Sequence, residues 1–344
     1  MQLSLVLWYS IGKTGGEGWL LKIVVLDAAA LDPGDLTWQS MERLGTLVRY
    51  DRTPEPLIVP RIGDAEIVIT NKTPLTAQTI QSCPNIRYIG ALSTGYNVID
   101  IKAAAEKGIP VTNVPDYGTD AVAQHVFALL LEICNHVALH ADSVQRGDWV
   151  KSQDFCYWKA PLTELAGKTM GVVGFGKIGQ RTARIARAFG MQTLAYTRHL
   201  KTEPALQTET DYAPLEALLA RSDVVSLHCP LTEQTHHLIN DTTLCQCKPG
   251  AILVNTARGP LVDHAAVARA LESGHLGYYA ADVAEQEPMA ADDPLLRAPR
   301  CLFTSHIAWA AREARQRLMD TAAENIQAFL RSVPQNVVNG GKKD

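Results

Sequence analysis

The sequence has no long hydrophobic run free of polar side chains. Its longest apolar stretch, Ala121 to Ala141, carries Gln124, His125, Glu132, Asn135, His136 and His140. That reads as a partly buried helix and argues against a membrane span. There is no surplus of positive charge either: 32 Lys and Arg against 36 Asp and Glu leave a net charge of −4. The chain therefore lacks the basic footprint that binding to nucleic acid or an anionic membrane calls for. Paired cysteines are missing as well. Seven, an odd number, lie scattered from Cys83 to Cys301, which makes no disulfide framework and fits reduced thiols in a cytoplasmic protein. Cys245 and Cys247 form a C-x-C pair with no second pair to match, so no metal site is expected. The N-terminus has no Lys or Arg ahead of its short apolar run, and Gly15, Gly16 and Gly18 then break that run. Residues 1–20 are expected to be a loose extension, with the functional chain opening near Leu21.

What is present is an ordinary globular composition, 47% hydrophobic and 20% charged over 344 residues, enough for two domains. In the first third, KIVVLD (Lys22 to Asp27), EIVITN (Glu66 to Asn71) and IRYIGAL (Ile86 to Leu92) read as buried strands. Helices are predicted between them, over Leu36 to Leu44 and Thr76 to Ser82. A single helix from Ala121 to Arg146 then leaves this unit, followed by a loop, Trp149 to Pro161, that carries Phe155, Tyr157 and Trp158. From Lys168 a second series begins: TMGVVGF, TLAYT, DVVSLH, AILVNT, YYAADV and CLFTSH. These six strands alternate with helices and make one complete doubly wound sheet. A last helix, Ala311 to Leu330, is expected to return to the first unit. The fold class is thus α/β, two doubly wound parallel-sheet domains with a cleft between them. The expected boundaries are 21–118 plus 306–344 for one domain and 119–305 for the other.

Gly174-x-Gly176-x-x-Gly179 directly follows a strand and opens the helix Gln180 to Ala188. In that context each glycine has a task. Gly174 makes the tight turn, Gly176 lets backbone approach a pyrophosphate, and Gly179 lets helix and strand pack closely. The helix N-terminus supplies unpaired N–H donors and partial positive charge for phosphates. A carboxylate about 20 residues on would accept the ribose hydroxyls and mark NAD. Here the strand end carries Thr197, followed by Arg198, His199 and Lys201. An acid would repel a 2′-phosphate, whereas Thr197 and Arg198 can hold one. The cofactor is therefore read as NAD(P)H, with NADPH favoured.

Three later segments end strands on the ligand side: Asn255-Thr256-Ala257-Arg258-Gly259, Glu287-Pro288 and Ser305-His306-Ile307-Ala308-Trp309. Singly, an Arg, a Glu or a His is an unremarkable polar residue. Together, beside a dinucleotide loop, they supply what reduction of a 2-oxo acid needs besides hydride. The substrate carboxylate and carbonyl need a planar, permanently charged donor, which is Arg258. The developing alkoxide needs a proton from an acid that titrates near neutrality, which is His306. That histidine needs a carboxylate to orient it and favour imidazolium, which is Glu287.

These motifs, with "STGYNVID", "VTNVPDYGTDAVAQHVFALLL", "SLHCPLTEQT", "LVNTARGPLVD", "ADVAEQEP" and "SHIAWAAREARQRLM", span about Lys22 to Asn339. The chain resembles the D-isomer-specific 2-hydroxyacid dehydrogenases, most of all their glycerate dehydrogenase (hydroxypyruvate reductase) branch. The resemblance implies a flavodoxin-like substrate domain and a Rossmann dinucleotide domain. It implies Arg258 for substrate binding, Glu287 as the partner of the histidine and His306 as acid/base. Asp282 is implied to meet the nicotinamide carboxamide, and Lys177, Ile178, Cys229, Pro230, Thr256 and Ala257 to join the glycines around the cofactor. Backbone amides of Ser93, Thr94 and Gly95 are implied to line the substrate carboxylate, with Asn71 and Lys72 near. A homodimer through the 121–160 region is implied too. Two departures stand out: Ser305 replaces a proline common before the histidine, and Thr197 replaces the usual acid. The expected partner is a small 2-oxo or 2-hydroxy acid, hydroxypyruvate or glyoxylate, with a dehydrogenase for another D-2-hydroxy acid as alternative. Formate dehydrogenase chemistry is a rival that Glu287 opposes, since that branch pairs its histidine with glutamine. A nucleotide-sensing corepressor of the same fold is a rival of another class.

Overall fold

The computed structural model describes residues 21–198 and 210–340. The expected extension at residues 1–20, and His199 and Lys201 after Arg198, lie outside the described residues. The described residues divide into two compact units, 21–117 with 312–340, and those within Gly118–Ala311. The segment from His306 to Ala311 thus falls with the second unit, not with the 306–344 tail. The reason is local: the Asp282 carboxylate accepts the amides of Ile307 at 2.8 Å and Ala308 at 2.7 Å.

The first unit is built, among the described residues, on a five-stranded sheet. Its strands are β1 (Lys22–Val25), β2 (Thr46–Arg49), β3 (Ile67–Thr70), β4 (Tyr88–Ala91) and β5 (Val111–Thr112), all parallel in the order β2-β1-β3-β4-β5. That is the flavodoxin-like order. β3 and β4 are fully buried and β1 is buried after Lys22, as strands covered on both faces of a parallel sheet require. β2 lies at an edge and is half exposed, and it escapes sequence patterning. The helix expected over Leu36 to Leu44 shrinks to Gln39–Glu42. Asp32 is the cause: its carboxylate accepts the amides of Gly34, Asp35 and Leu36 and the Trp38 indole, which makes a turn where the helix would start. The last helix, Arg312–Leu330, is tied to this unit by Arg315, which donates two bonds to Asp35 at 2.6 and 2.8 Å.

The second unit carries a seven-stranded sheet among the described residues. Its strands are β6 (Thr169–Val173), β7 (Gln192–Tyr196), β8 (Asp211–Tyr212), β9 (Val224–Leu227), β10 (Ala251–Asn255), β11 (Leu276–Ala281) and β12 (Cys301–Phe303). All pair in parallel, in the order β12-β11-β10-β9-β6-β7-β8. This is one strand more than the six read from sequence, because β8 has only two residues. The order reverses between β6 and β9, which makes the crevice above them the switch point where such sheets bind ligands. The single rod expected over Ala121 to Arg146 is two helices, Thr119–Asn135 and Val137–Gln145, bent by 58°. His136 breaks it by taking a left-handed conformation, φ 48°. No single helix among the described residues is long and apolar enough to cross a membrane.

Candidate active site

The register of the second sheet aligns Tyr196, Val173, Leu227, Asn255, Ala281 and Phe303 in one row across β7, β6, β9, β10, β11 and β12. One residue further along stand Thr197, Gly174, His228, Thr256, Asp282 and Thr304. Residues read separately from sequence thus leave the sheet side by side, at its carboxyl edge.

At the β6 end, Gly174 has φ +95°, and a Cβ there would overlap the Cys229 backbone that follows β9. Gly179 packs its helix so tightly that a Cβ would strike the Gly174 carbonyl. Gly176 differs: it is exposed, with open space where a side chain would be. It is also the N-cap of the helix Lys177–Ala188 and makes no side-chain cap bond, so the helix has an N-terminus suited to an anion. Thr197 is half-buried and Arg198 exposed beside this turn, where the Gly174 amide donates to the Tyr196 carbonyl at 2.8 Å. Burial pushes the Cys229 thiol up to about 11, against a smaller downward pull from the Arg198 charge. Thr256 Oγ1 is buried with no hydrogen-bond partner among the described residues. An open glycine at an uncapped helix and an unsatisfied hydroxyl in the same row fit a dinucleotide. His228, also in this row, went unnoticed in the sequence. Burial of its ring pushes its pKa down to about 4, and Nε2 lies 2.9 Å from Ser226 Oγ.

At the other end of the row, His306 Nδ1 donates to Glu287 Oε2 at 2.6 Å. Both side chains are partly exposed, about a third and two-fifths. The other Glu287 oxygen accepts the Ala284 amide at 3.2 Å. His306 has φ +59°, a conformation that strains a non-glycine residue by about 1–3 kcal/mol. Its turn is held on two sides. Trp309 Nε1 donates to the His306 carbonyl at 2.8 Å, and Asp282, 1% exposed, accepts the next two amides and the Thr304 hydroxyl. With its one hydroxyl proton given to Asp282, Thr304 accepts from His125 Nε2 at 2.9 Å. Asp282 therefore sits behind the histidine turn with its oxygens engaged by the protein. Arg258 caps the turn Gly259–Leu261, exposed, with its backbone carbonyl fixed by Asn255 Nδ2 at 2.9 Å. Gly259 leaves no room for a Cβ, which would overlap the Ala284 carbonyl. Backbone contact thus joins the Arg258 segment to the loop that orients Glu287.

Residues 127–308 match the family described as D-isomer specific 2-hydroxyacid dehydrogenase, NAD binding domain. A hydroxypyruvate reductase of Blautia hydrogenotrophica is 48% identical over 93% of this chain and 100% of its own. The chain belongs to the D-isomer-specific 2-hydroxyacid dehydrogenase family. A glycerate dehydrogenase of Methylorubrum extorquens is 38% identical over 92% of this chain and 98% of its own. The apo-structure of D-lactate dehydrogenase from Escherichia coli superposes with a TM-score of 0.80 at 30% identity, covering 92% of this chain and 99% of that one.

In the first unit of this dehydrogenase, a residue the sequence reading passed over organises the carboxyl edge of the sheet. Asp27, buried at the end of β1, accepts the amides of Asn71, Lys72 and Thr73. Asn71 in turn donates to the Leu92 carbonyl at 2.8 Å, which anchors the loop Ser93-Thr94-Gly95. Ser93 donates to the Gly95 carbonyl and Thr94 to Val114. Lys72 projects exposed beside them, whereas the Leu92 side chain is fully buried.

Proposed function

We propose that the chain reduces a small 2-oxo acid, hydroxypyruvate or glyoxylate, to the D-2-hydroxy acid, and oxidises D-glycerate in reverse. The observation that carries this reading is the His306–Glu287 pair at 2.6 Å, on the sheet edge that also bears the glycine turn. When bound in its reduced form, a nicotinamide cofactor would supply the hydride that C2 of the substrate accepts. Gly174, Gly176 and Gly179, with Lys177 and Ile178, would receive the pyrophosphate. Cys229, Pro230, Thr256 and Ala257 would border the rest of the cofactor, with Asp282 behind the histidine turn near its nicotinamide end. Arg258 would bind the substrate carboxylate and carbonyl through its guanidinium fork. His306 has Nδ1 committed to Glu287, so Nε2 is the atom that carries the proton to the substrate oxygen. Glu287 fixes the ring through that bond. In the oxidative direction the same Nε2, deprotonated, takes the hydroxyl proton. Lys72 and the Ser93, Thr94 and Gly95 amides form a carboxylate-binding candidate within the first unit.

Thr197 and Arg198 make NADPH the favoured cofactor: neither would repel a 2′-phosphate, and Arg198 is exposed and available to it. A homodimer is proposed through the second helix and following loop, where Val137, Leu139, Trp149, Phe155 and Trp158 are exposed. Seven unpaired thiols suit a cytoplasmic enzyme.

The test is steady-state oxidation of NADPH and of NADH with a panel of five 2-oxo acids. No turnover with any of them would leave the corepressor reading standing. His306→Ala should then lower kcat by roughly 100-fold or more, and near-normal reduction would remove His306 from the acid's role.

A further inference from the structure

One histidine outside the reacting pair touches both segments that carry the reaction. The His237 amide donates to the Pro260 carbonyl at 2.9 Å, two residues beyond Arg258. Two residues on, the Ile239 amide donates to Leu261 at 3.0 Å, so this strip runs along the Arg258 turn. The His237 side chain points the other way: Nε2 donates to Glu285 Oε1 at 2.9 Å. Glu285 follows Ala284, whose amide holds Glu287 and whose carbonyl abuts Gly259. His237 is itself held in place. Its φ is +48°, its carbonyl accepts Asn240 Nδ2 at 2.8 Å, and its ring stacks on His236 with centroids 4.0 Å apart.

We propose that His237, through Glu285, is a positioning residue that clamps the Glu287 loop onto the Arg258 segment and so sets how closely Glu287 meets His306. The pair is about a third exposed on His237 and two-fifths on Glu285. An ion pair that open contributes little to overall stability. Its effect is geometric. It adds a polar tie between Glu285 and the strip along the Arg258 turn to the packing at Gly259, and without it Glu287 loosens from His306. The charged groups around the affected imidazole are Glu287 in front, Asp282 behind its turn with His125 reached through Thr304, and Arg258 on the neighbouring segment. Of these only Glu287 rides on the clamped loop, and His236 is the titratable neighbour of the clamp itself.

The inference rests on the proposed reaction, and its test separates the two. His237→Asn keeps a residue that tolerates positive φ but cannot reach Glu285. Glu285→Ala removes the acceptor, while Glu285→Gln keeps a neutral one. In reduction of hydroxypyruvate, His237→Asn and Glu285→Ala should each lower kcat/KM by about 5- to 30-fold, since misplacement by an ångström costs up to about 100-fold. The double variant should lose no more than the worse single one, and Glu285→Gln should stay within about threefold. The loss of activity at high pH should begin at a lower pH in the two disrupted variants, because the imidazolium formed in turnover loses part of its partner. NADPH affinity and Tm should not move. NMR titration of His306 in the resting enzyme reads the same shift without turnover. A shifted titration in an enzyme that turns over no 2-oxo acid would defeat the reaction and leave the clamp. Additive losses, or an unmoved His306 titration, would overturn the clamp.

Discussion

Replacing Asp282 by asparagine is the sharpest test of how the site is held together. The substitution keeps size and shape and changes one oxygen to an NH2. In the native protein Oδ1 accepts the Ile307 amide at 2.8 Å and the Thr304 hydroxyl, and Oδ2 accepts the Ala308 amide at 2.7 Å. Asparagine offers one acceptor atom, so one backbone donor must face the NH2. At 1% exposure no water replaces the lost bond. A charge-assisted bond contributes about 1.5–3 kcal/mol, and an orphaned buried amide costs about 1–3 kcal/mol more. Part of that is recovered if the turn relaxes and relieves the strain at His306, φ +59°, worth about 1–3 kcal/mol. The net loss is about 2–4 kcal/mol, which lowers the Tm of a domain this large by about 4–15 °C. Relaxation also withdraws His306 from Glu287, so kcat should fall by roughly 100-fold. Calorimetry and steady-state reduction in the same buffer check both. A variant with Tm within about 2 °C of wild type and kcat within about twofold would show that Asp282 does not hold the turn, and that its contacts are incidental to catalysis.

Three other outcomes are expected. Arg198→Asp should raise the KM for NADPH at least tenfold while changing that for NADH far less; equal losses would defeat the 2′-phosphate reading. Gly259→Ala forces the Ala284 carbonyl to move, so activity should fall by about 100-fold in whatever protein folds, with NADPH binding retained; an active variant would mean the two loops are not in fixed contact. His228, whose pKa falls from 6.5 to about 4 on folding, binds its proton more tightly when unfolded. Its contribution to stability is therefore complete above pH 6.5 and is lost as pH falls from there toward 4, by up to about 3 kcal/mol. Urea midpoints across that range should flatten in His228→Gln, and an unchanged slope would assign the acid sensitivity elsewhere.

What the sequence shows of this molecule is what short-range chemistry dictates. Buried parallel strands must be continuously apolar, so β1, β3, β6, β9 and β10 stand out. A phosphate turn needs glycine at set spacings, so Gly174, Gly176 and Gly179 stand out as well. The kink at His136 does not, because nothing in an apolar periodic run says that a histidine will take φ 48°. β2 and β8 are hidden for another reason: edge strands this short and exposed carry no period. Asp32 is a third kind of miss. Its carboxylate outbids a helix start by capping three amides in a turn, a competition decided by side-chain geometry rather than by propensity.

The site divides along the same line. Arg258, Glu287 and His306 are legible as candidates because each is the residue type best suited to its part of the proposed chemistry. The residues that hold them are ordinary in sequence and meet only through the sheet's register. Strand pairing brings Asn255, Ala281 and Phe303 level, and the next residue on each strand then emerges beside its neighbours. Asp282 thereby comes within reach of Thr304, and the Arg258 turn lies against Ala284 through Gly259. Such dependence has a consequence for engineering. Shifting β11 or β12 by one residue would send Asp282 or Thr304 to the opposite face of the sheet. Arg258, Glu287 and His306, the three residues proposed to react, would all remain in the chain, yet the turn that presents His306 would have lost its support.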